Sequence, residues 1–246
     1  MIDSSYADAP VPVRRDLREA HARAFDRLAR AGTWWSGAER LAIAQEVRRA
    51  PACDLCARRK QALSPLAVDG EHDGETILPA SVVEVVHQVV NDPGRLSHVW
   101  FEKVMAAGLS SEHYVETIGV IVTIFSIDSF GRGLGVPPRP LPEAKAGEPS
   151  RQRPAGAREG GAWVPWVPER LAKGREADLY DTPRTGNVLK ALSLVPDEVR
   201  QLKDLSEAHY LGVAEMMDLE TTDRAIDRRQ IELVAGRVSA LRECFY

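Results

Sequence analysis

Apolar residues recur at three- and four-residue spacing along most of the chain, and sustained period-two alternation is hard to find, so the pattern predicts an all-helical protein. Leu17, Ala20, Ala24, Phe25 and Leu28 share one face of a helix over roughly 15–31, with Gly32 as its stop. A second helix is expected over about 38–49. Pro51 interrupts it, since proline has no amide donor and disfavours helix in the residue before it. Cys53 and Cys56 follow directly. Beyond a polar stretch at 69–74, rich in Asp, Gly and His, the next helix opens with Pro79. It carries Val82, Val83, Val86, Val89 and Val90, and Asp92-Pro93-Gly94 closes it. Residues 96–107 and 110–134 read as a helical pair hinged at Gly108, with Ser110 and Ser111 as caps for the second member.

From 135 to 186 the composition changes. Prolines from Pro137 to Pro168 rule out long helices, while Trp163, Val164, Trp166 and Val167 would be costly to leave in water, at ~1.5 to 3 kcal/mol for each large side chain. The segment is expected to wrap over the helical body. Residues 187–246 return to helix, first with Val199, Leu202 and Leu205. Ile231, Val234, Val238, Leu241 and Phe245 then follow steps of three and four and define a core-facing seam. Three domains are therefore expected: 1–134, a connector over 135–186, and 187–246.

Composition narrows the function classes. A chain of 246 residues with 44% hydrophobic and 28% charged content is that of an ordinary globular protein. The net charge of -4 has interspersed signs and no basic face, so nucleic acid is not an expected partner. The apolar stretch 117–127 falls short of the roughly 20 residues of a membrane span. With no signal-like N-terminus, the expectation is a cytoplasmic protein without a membrane partner. Three cysteines argue against a disulfide scaffold and for a reactive or structural thiol.

Two segments carry that chemistry. Laid side by side without gaps, Ala44, Val47 and Cys53 coincide with Ala235, Val238 and Cys244, and each cysteine follows a helix of similar length. Glu232, eleven residues, then Cys244 is the spacing of a known redox signature: glutamate, eleven residues, C-x-x-C, three residues, histidine. On this motif, in RQIELVAGRVSALRECFY at 229–246, the chain resembles the alkylhydroperoxidase D-like proteins of the carboxymuconolactone decarboxylase-like superfamily, in particular their peroxidase-related members.

The resemblance implies two helical lobes of that type, the second incomplete, and a thiol-dependent hydroperoxide reductase. It makes Glu232 the proton relay and Cys244 the resolving thiol, and it puts the peroxide-attacking residue and the relay histidine beyond Tyr246. A related expectation is a UGA codon there encoding selenocysteine, with truncation as the other account. The implied partners are a hydroperoxide, a dithiol or a thioredoxin- or lipoyl-type reductant, and further copies of the chain in a homo-oligomer.

Cys53 and Cys56 read as a diverged redox pair, because the ungapped register puts Leu41 at the glutamate position and Lys60 at the histidine position, with Glu39 and Glu46 out of register. Arg58, Arg59 and Lys60 supply the expected local field on the thiols. No cofactor is expected. A zinc site is set aside because no second C-x-x-C or H-x-x-x-H is present, and His21, His72, His87, His98, His113 and His209 have no partner at ligand spacing. The Gly131, Gly133, Gly135 run follows a helix and precedes prolines, which makes it a helix end and not a phosphate loop. Trp34 and Trp35 read as an interhelical or subunit anchor. The alternatives to a peroxidase are a catalytically degenerate assembly or binding protein of the same fold, and a thiol redox sensor using Cys53 and Cys56.

Overall fold

The computed structural model describes residues 5–182, 185–220, 224–241 and 244, and only the backbone at 213 and 214. Among them the regular structure is helical, and one isolated bridge between Arg158 and Trp166 is the sole β-type pairing. Six helices occupy the first half: α1 (Arg15–Ala29), α2 (Gly37–Arg49), α3 (Asp54–Gln61), α4 (Ala80–Asn91), α5 (His98–Ala106) and α6 (Ser111–Leu134). Four follow the connector: α7 (Asn187–Leu192), α8 (Pro196–His209), α9 (Val213–Met217) and α10 (Arg228–Leu241). The all-helical expectation is met. By contacts the chain divides into residues 1–205 and 206–246.

Each helix of the first unit starts and stops for a local reason. Ser36 and Glu39 form a reciprocal capping box at the start of α2, so Glu39 is a capping group. Ser110 accepts the His113 amide at the start of α6, and left-handed Gly135 ends that helix, as the glycine run suggested. α1 buries Leu17, Ala20, Ala24, Phe25 and Leu28, but the chain turns extended at Arg30, before Gly32. Gly32 instead makes room for a buried acid, since a Cβ there would collide with the Glu116 carboxylate.

The core lies where α2, α4 and α6 pack together, with α1 against α2 and α6. Ile43, Val82, Val86, Val120, Ile124 and Ile127 fill it. α6 has the length and composition of a membrane span, yet 56% of its most apolar window is buried within the protein. Trp35 anchors α6 by donating from its indole to the His113 carbonyl and the Thr117 hydroxyl. The interhelical part of the tryptophan expectation thus holds for Trp35.

Residues 187–205 pack on this body. Arg23 and Arg27 bind Asp204, Gln201 meets Thr123, and buried Arg40 lies 3.1 Å from Glu198 and 3.7 Å from Glu116. Both carboxyls are pushed upward by burial, against the pull of Arg40, and Glu198 reaches about 7. The connector is extended with short turns, and it buries Val164 and Val167 while Trp163 stays 42% exposed. The first unit therefore takes in the connector and the start of the last segment as well as residues 1–134.

In the second unit, Arg228 donates to the carbonyls of Glu215 and Asp218 and to the Glu232 carboxylate, tying α10 to the turn after α9. Ile231 is buried. Val234, Val238 and Leu241 are exposed in this chain, and Phe245 lies outside the described residues.

Candidate thiol and histidine site

Pro51 does what its chemistry dictates: α2 tightens into a 3-10 turn at Ala50–Ala52, and Cys53 becomes the N-cap of α3 with its amide on the Ala50 carbonyl. The break turns Cys53 and Cys56 inward. They pack with Leu55, and Val68 lies against them. Cys53 is 2% exposed and Cys56 7%.

Two histidines meet these sulfurs. His87, on α4, places Nδ1 3.3 Å from Cys56 Sγ and Nε2 2.7 Å from Glu46 Oε1 on α2. His72, from the 69–74 loop, places Nδ1 3.5 Å from Cys53 Sγ and 3.6 Å from Cys56 Sγ, and Nε2 2.9 Å from Glu84 Oε2 on α4. Two chains of thiol, imidazole and carboxylate therefore converge on one dithiol. The rings of His72 and His87 lie 4.0 Å apart between centroids.

Arginines fasten both carboxylates. Arg49 donates to Glu46 and to the Glu75 carbonyl, while Arg59 donates to Glu84 and to the Val68 carbonyl. Each arginine thus grips one carboxylate and one end of the segment carrying His72. Trp100 supplies a further hydrogen bond to Glu84, and Asn91 links the His87 carbonyl to that of Ala50. Gly70 and Gly74, at φ +154° and +97°, bracket His72 in backbone regions that side chains rarely adopt. Asp73 then accepts the Asp54 amide at the start of α3, closing the loop over the site.

The two chains differ electrically. Burial works against charge on Cys53, but the amides of Asp73 and Cys56, with His72, outweigh it and lower the thiol. Burial also opposes the His72 cation, yet hydrogen bonds to Cys56, Glu84 and Cys53 hold it at about 10. Glu84, despite burial, is held at about 2 by His72, Arg59 and Trp100. At the second chain burial pushes the Cys56 thiol up, and burial, helped by the charge of His72 and opposed by Glu46, pushes His87 down.

Several expectations change. The histidines without sequence-spaced partners include two that face the cysteines, because α4 and the loop are folded onto α3. The acids of the site are Glu46, which sequence register set aside, and Glu84. Leu41 is a core residue and Lys60 is exposed. The thiol of Cys53 is lowered by backbone amides, His72 and Cys56, and Arg59 acts on Glu84. Glu84 lies three residues before His87, and that helical spacing, with a Gly-bracketed histidine, was the available signal.

Glu232 and Cys244 are not brought together. α10 runs unbroken to Leu241, so the nine helical steps after Glu232 span about 14 Å. Glu232 instead accepts from Tyr210 and Arg228, and exposed Cys244 directs its amide to the Ser239 carbonyl. Comparison with known protein families, with curated proteins and with solved structures finds no match for this chain.

Proposed function

We propose that this chain is a thiol-dependent hydroperoxide reductase with Cys53 and Cys56 as its working dithiol, the first attacking and the second resolving, the reverse of the order that the alkylhydroperoxidase D-like resemblance implies. The observation that carries the reading is the convergence of two thiol–imidazole–carboxylate chains on one C-x-x-C pair. A hydroperoxide reductase needs a nucleophilic sulfur, a proton donor for the leaving alcohol, and a resolving thiol with its own base. Each role has a residue here.

In the first step the Cys53 thiolate attacks one peroxide oxygen, the O–O bond breaks, and the alcohol leaves with a proton from His72. Cys53 is then a sulfenic acid. In the second step Cys56 gives its proton to His87 and attacks the Cys53 sulfur. The S–S bond forms, and hydroxide departs as water on taking back the proton from His87. Glu84 and Glu46 hold the two rings in orientation and balance their charge. The dithiol has lost two electrons, which an external dithiol restores.

Burial of both sulfurs under the 69–74 loop favours a small hydroperoxide over a bulky lipid one. The test is hydroperoxide consumption supported by dihydrolipoamide. Turnover that disappears in both Cys53→Ser and Cys56→Ser, and persists in Cys244→Ser, supports the reading; undiminished turnover in the Cys53→Ser, Cys56→Ser double variant overturns it.

A further inference from the structure

We infer that the reduced site is also a tetrahedral transition-metal site, fitted to zinc, with Cys53 Sγ, Cys56 Sγ, His72 Nδ1 and His87 Nδ1 as its ligands. The four donor atoms lie within 4.8 Å of one another, each from a different side chain. Zinc bonds of about 2.3 Å to sulfur and 2.0–2.1 Å to nitrogen, at tetrahedral angles, separate sulfur from nitrogen by about 3.6 Å. Three of the four sulfur to nitrogen distances here are 3.3, 3.5 and 3.6 Å, and the fourth, Cys53 to His87, is within 4.8 Å. A tetrahedron of ligands is therefore present with little rearrangement.

The groups behind the ligands match as well. Metal-bound histidine commonly donates its other ring N–H to a carboxylate, which fixes the tautomer and raises ligand basicity. Both histidines present Nδ1 to the sulfurs and Nε2 to a carboxylate, at 2.7 Å for Glu46 and 2.9 Å for Glu84. Those carboxylates are in turn held by Arg49 and Arg59. Two thiolates neutralise a dication, and two sulfurs with two imidazoles form a donor set that zinc favours over magnesium or calcium. The ligand order is C-x2-C, fifteen residues, His, fourteen residues, His, a spacing wide enough that only the fold assembles it.

The metal site stands on ligand geometry. Its coupling to peroxide rests on the function proposed above: a hydroperoxide and two protons convert the zinc dithiolate into the disulfide, an alcohol, water and free Zn2+. Zinc and disulfide then exclude each other, so metal occupancy guards the reduced dithiol and oxidation releases the ion.

The experiment uses the full reduced, metal-free chain under anaerobic conditions, titrated with Co2+ as a spectroscopic stand-in and then with Zn2+. The expected result is one Co2+ per chain with tetrahedral d–d bands and thiolate-to-cobalt charge transfer, displaced by Zn2+. That signature should be lost in Cys53→Ser and weakened at least tenfold in His87→Ala. Octahedral or no binding, or binding unchanged in the Cys53→Ser, Cys56→Ser double variant, overturns the site. Circular dichroism of each variant separates lost ligation from lost folding. Adding one equivalent of hydrogen peroxide to the zinc-loaded chain should release zinc to a chromogenic chelator. Tetrahedral binding without peroxide turnover by the metal-free chain sinks the coupling and the reductase reading but leaves the metal site. Turnover without metal binding does the reverse.

Discussion

His87 Nε2 stands 2.7 Å from Glu46 Oε1, and the two side chains are 0% and 1% exposed. A buried carboxylate beside a buried imidazole is expensive to desolvate and is held only where it is fully hydrogen-bonded. Arg49 and the ring supply those bonds to Glu46, and the other face of the ring meets Cys56. In the mechanism proposed above, this pair is the base at the second thiol of the C-x-x-C, with Nδ1 toward Cys56 and Nε2 toward Glu46.

Removing that base should slow the second chemical step and spare the first. His87→Ala is expected to reduce disulfide closure by about 100- to 10,000-fold, the range of a lost general base, with Glu46→Gln showing a smaller loss. Rapid-mixing kinetics of single-turnover oxidation, followed by thiol loss, separates the two steps.

Cys56→Ser should strand the reaction halfway. One equivalent of hydroperoxide is expected to leave Cys53 as a sulfenic acid that a dimedone-type probe labels, and the wild-type chain should give little labelling. Mass spectrometry of the peptide containing residue 53 reads both states.

The glycines around His72 give a structural prediction. Gly74→Ala places a Cβ at φ +97° and 2.5 Å from the Arg49 side chain, the arginine that holds Glu46 and the Glu75 carbonyl. The expected cost is about 1 to 2 kcal/mol of stability by urea unfolding, with a larger proportional loss of turnover as His72 shifts.

The buried pair around Arg40 sets a pH dependence remote from the thiols. Glu198 has its folded-state value raised to about 7 by burial, with Arg40 opposing, so the folded chain binds a proton that the unfolded chain has released above the ordinary carboxylate range. Its stabilising contribution is full below about pH 4.5 and is lost as pH rises through 7. Glu198→Gln should flatten this part of the stability-versus-pH curve measured by denaturant unfolding. An unchanged slope would contradict the assignment.

The sequence carried much of the fold and half of the site. Helical periodicity located α1, α2, α4 and α6 because each buries one regular face or is apolar throughout. Pro51 marked the break that makes Cys53 a helix cap. Glu46, His72, Glu84 and His87 were not legible as one set. They come from α2, a loop and α4, and partners separated by 12 to 41 positions show no local spacing. The terminal spacing of Glu232 to Cys244 was locally conspicuous, but the hydrogen bonds of Glu232 go to Tyr210 and Arg228.

In the proposed reaction Cys53 and Cys56 act together as the electron source for a hydroperoxide. Its most direct test adds one equivalent of hydrogen peroxide to the reduced, metal-free chain, then counts remaining thiols and maps the products by mass spectrometry. The expected result is loss of two thiols and two hydrogens within the peptide spanning Cys53 and Cys56, complete consumption of the peroxide, and Cys244 left reduced. Oxidation confined to Cys244, or peroxide consumed at the same rate with both thiols of the pair intact, would contradict it.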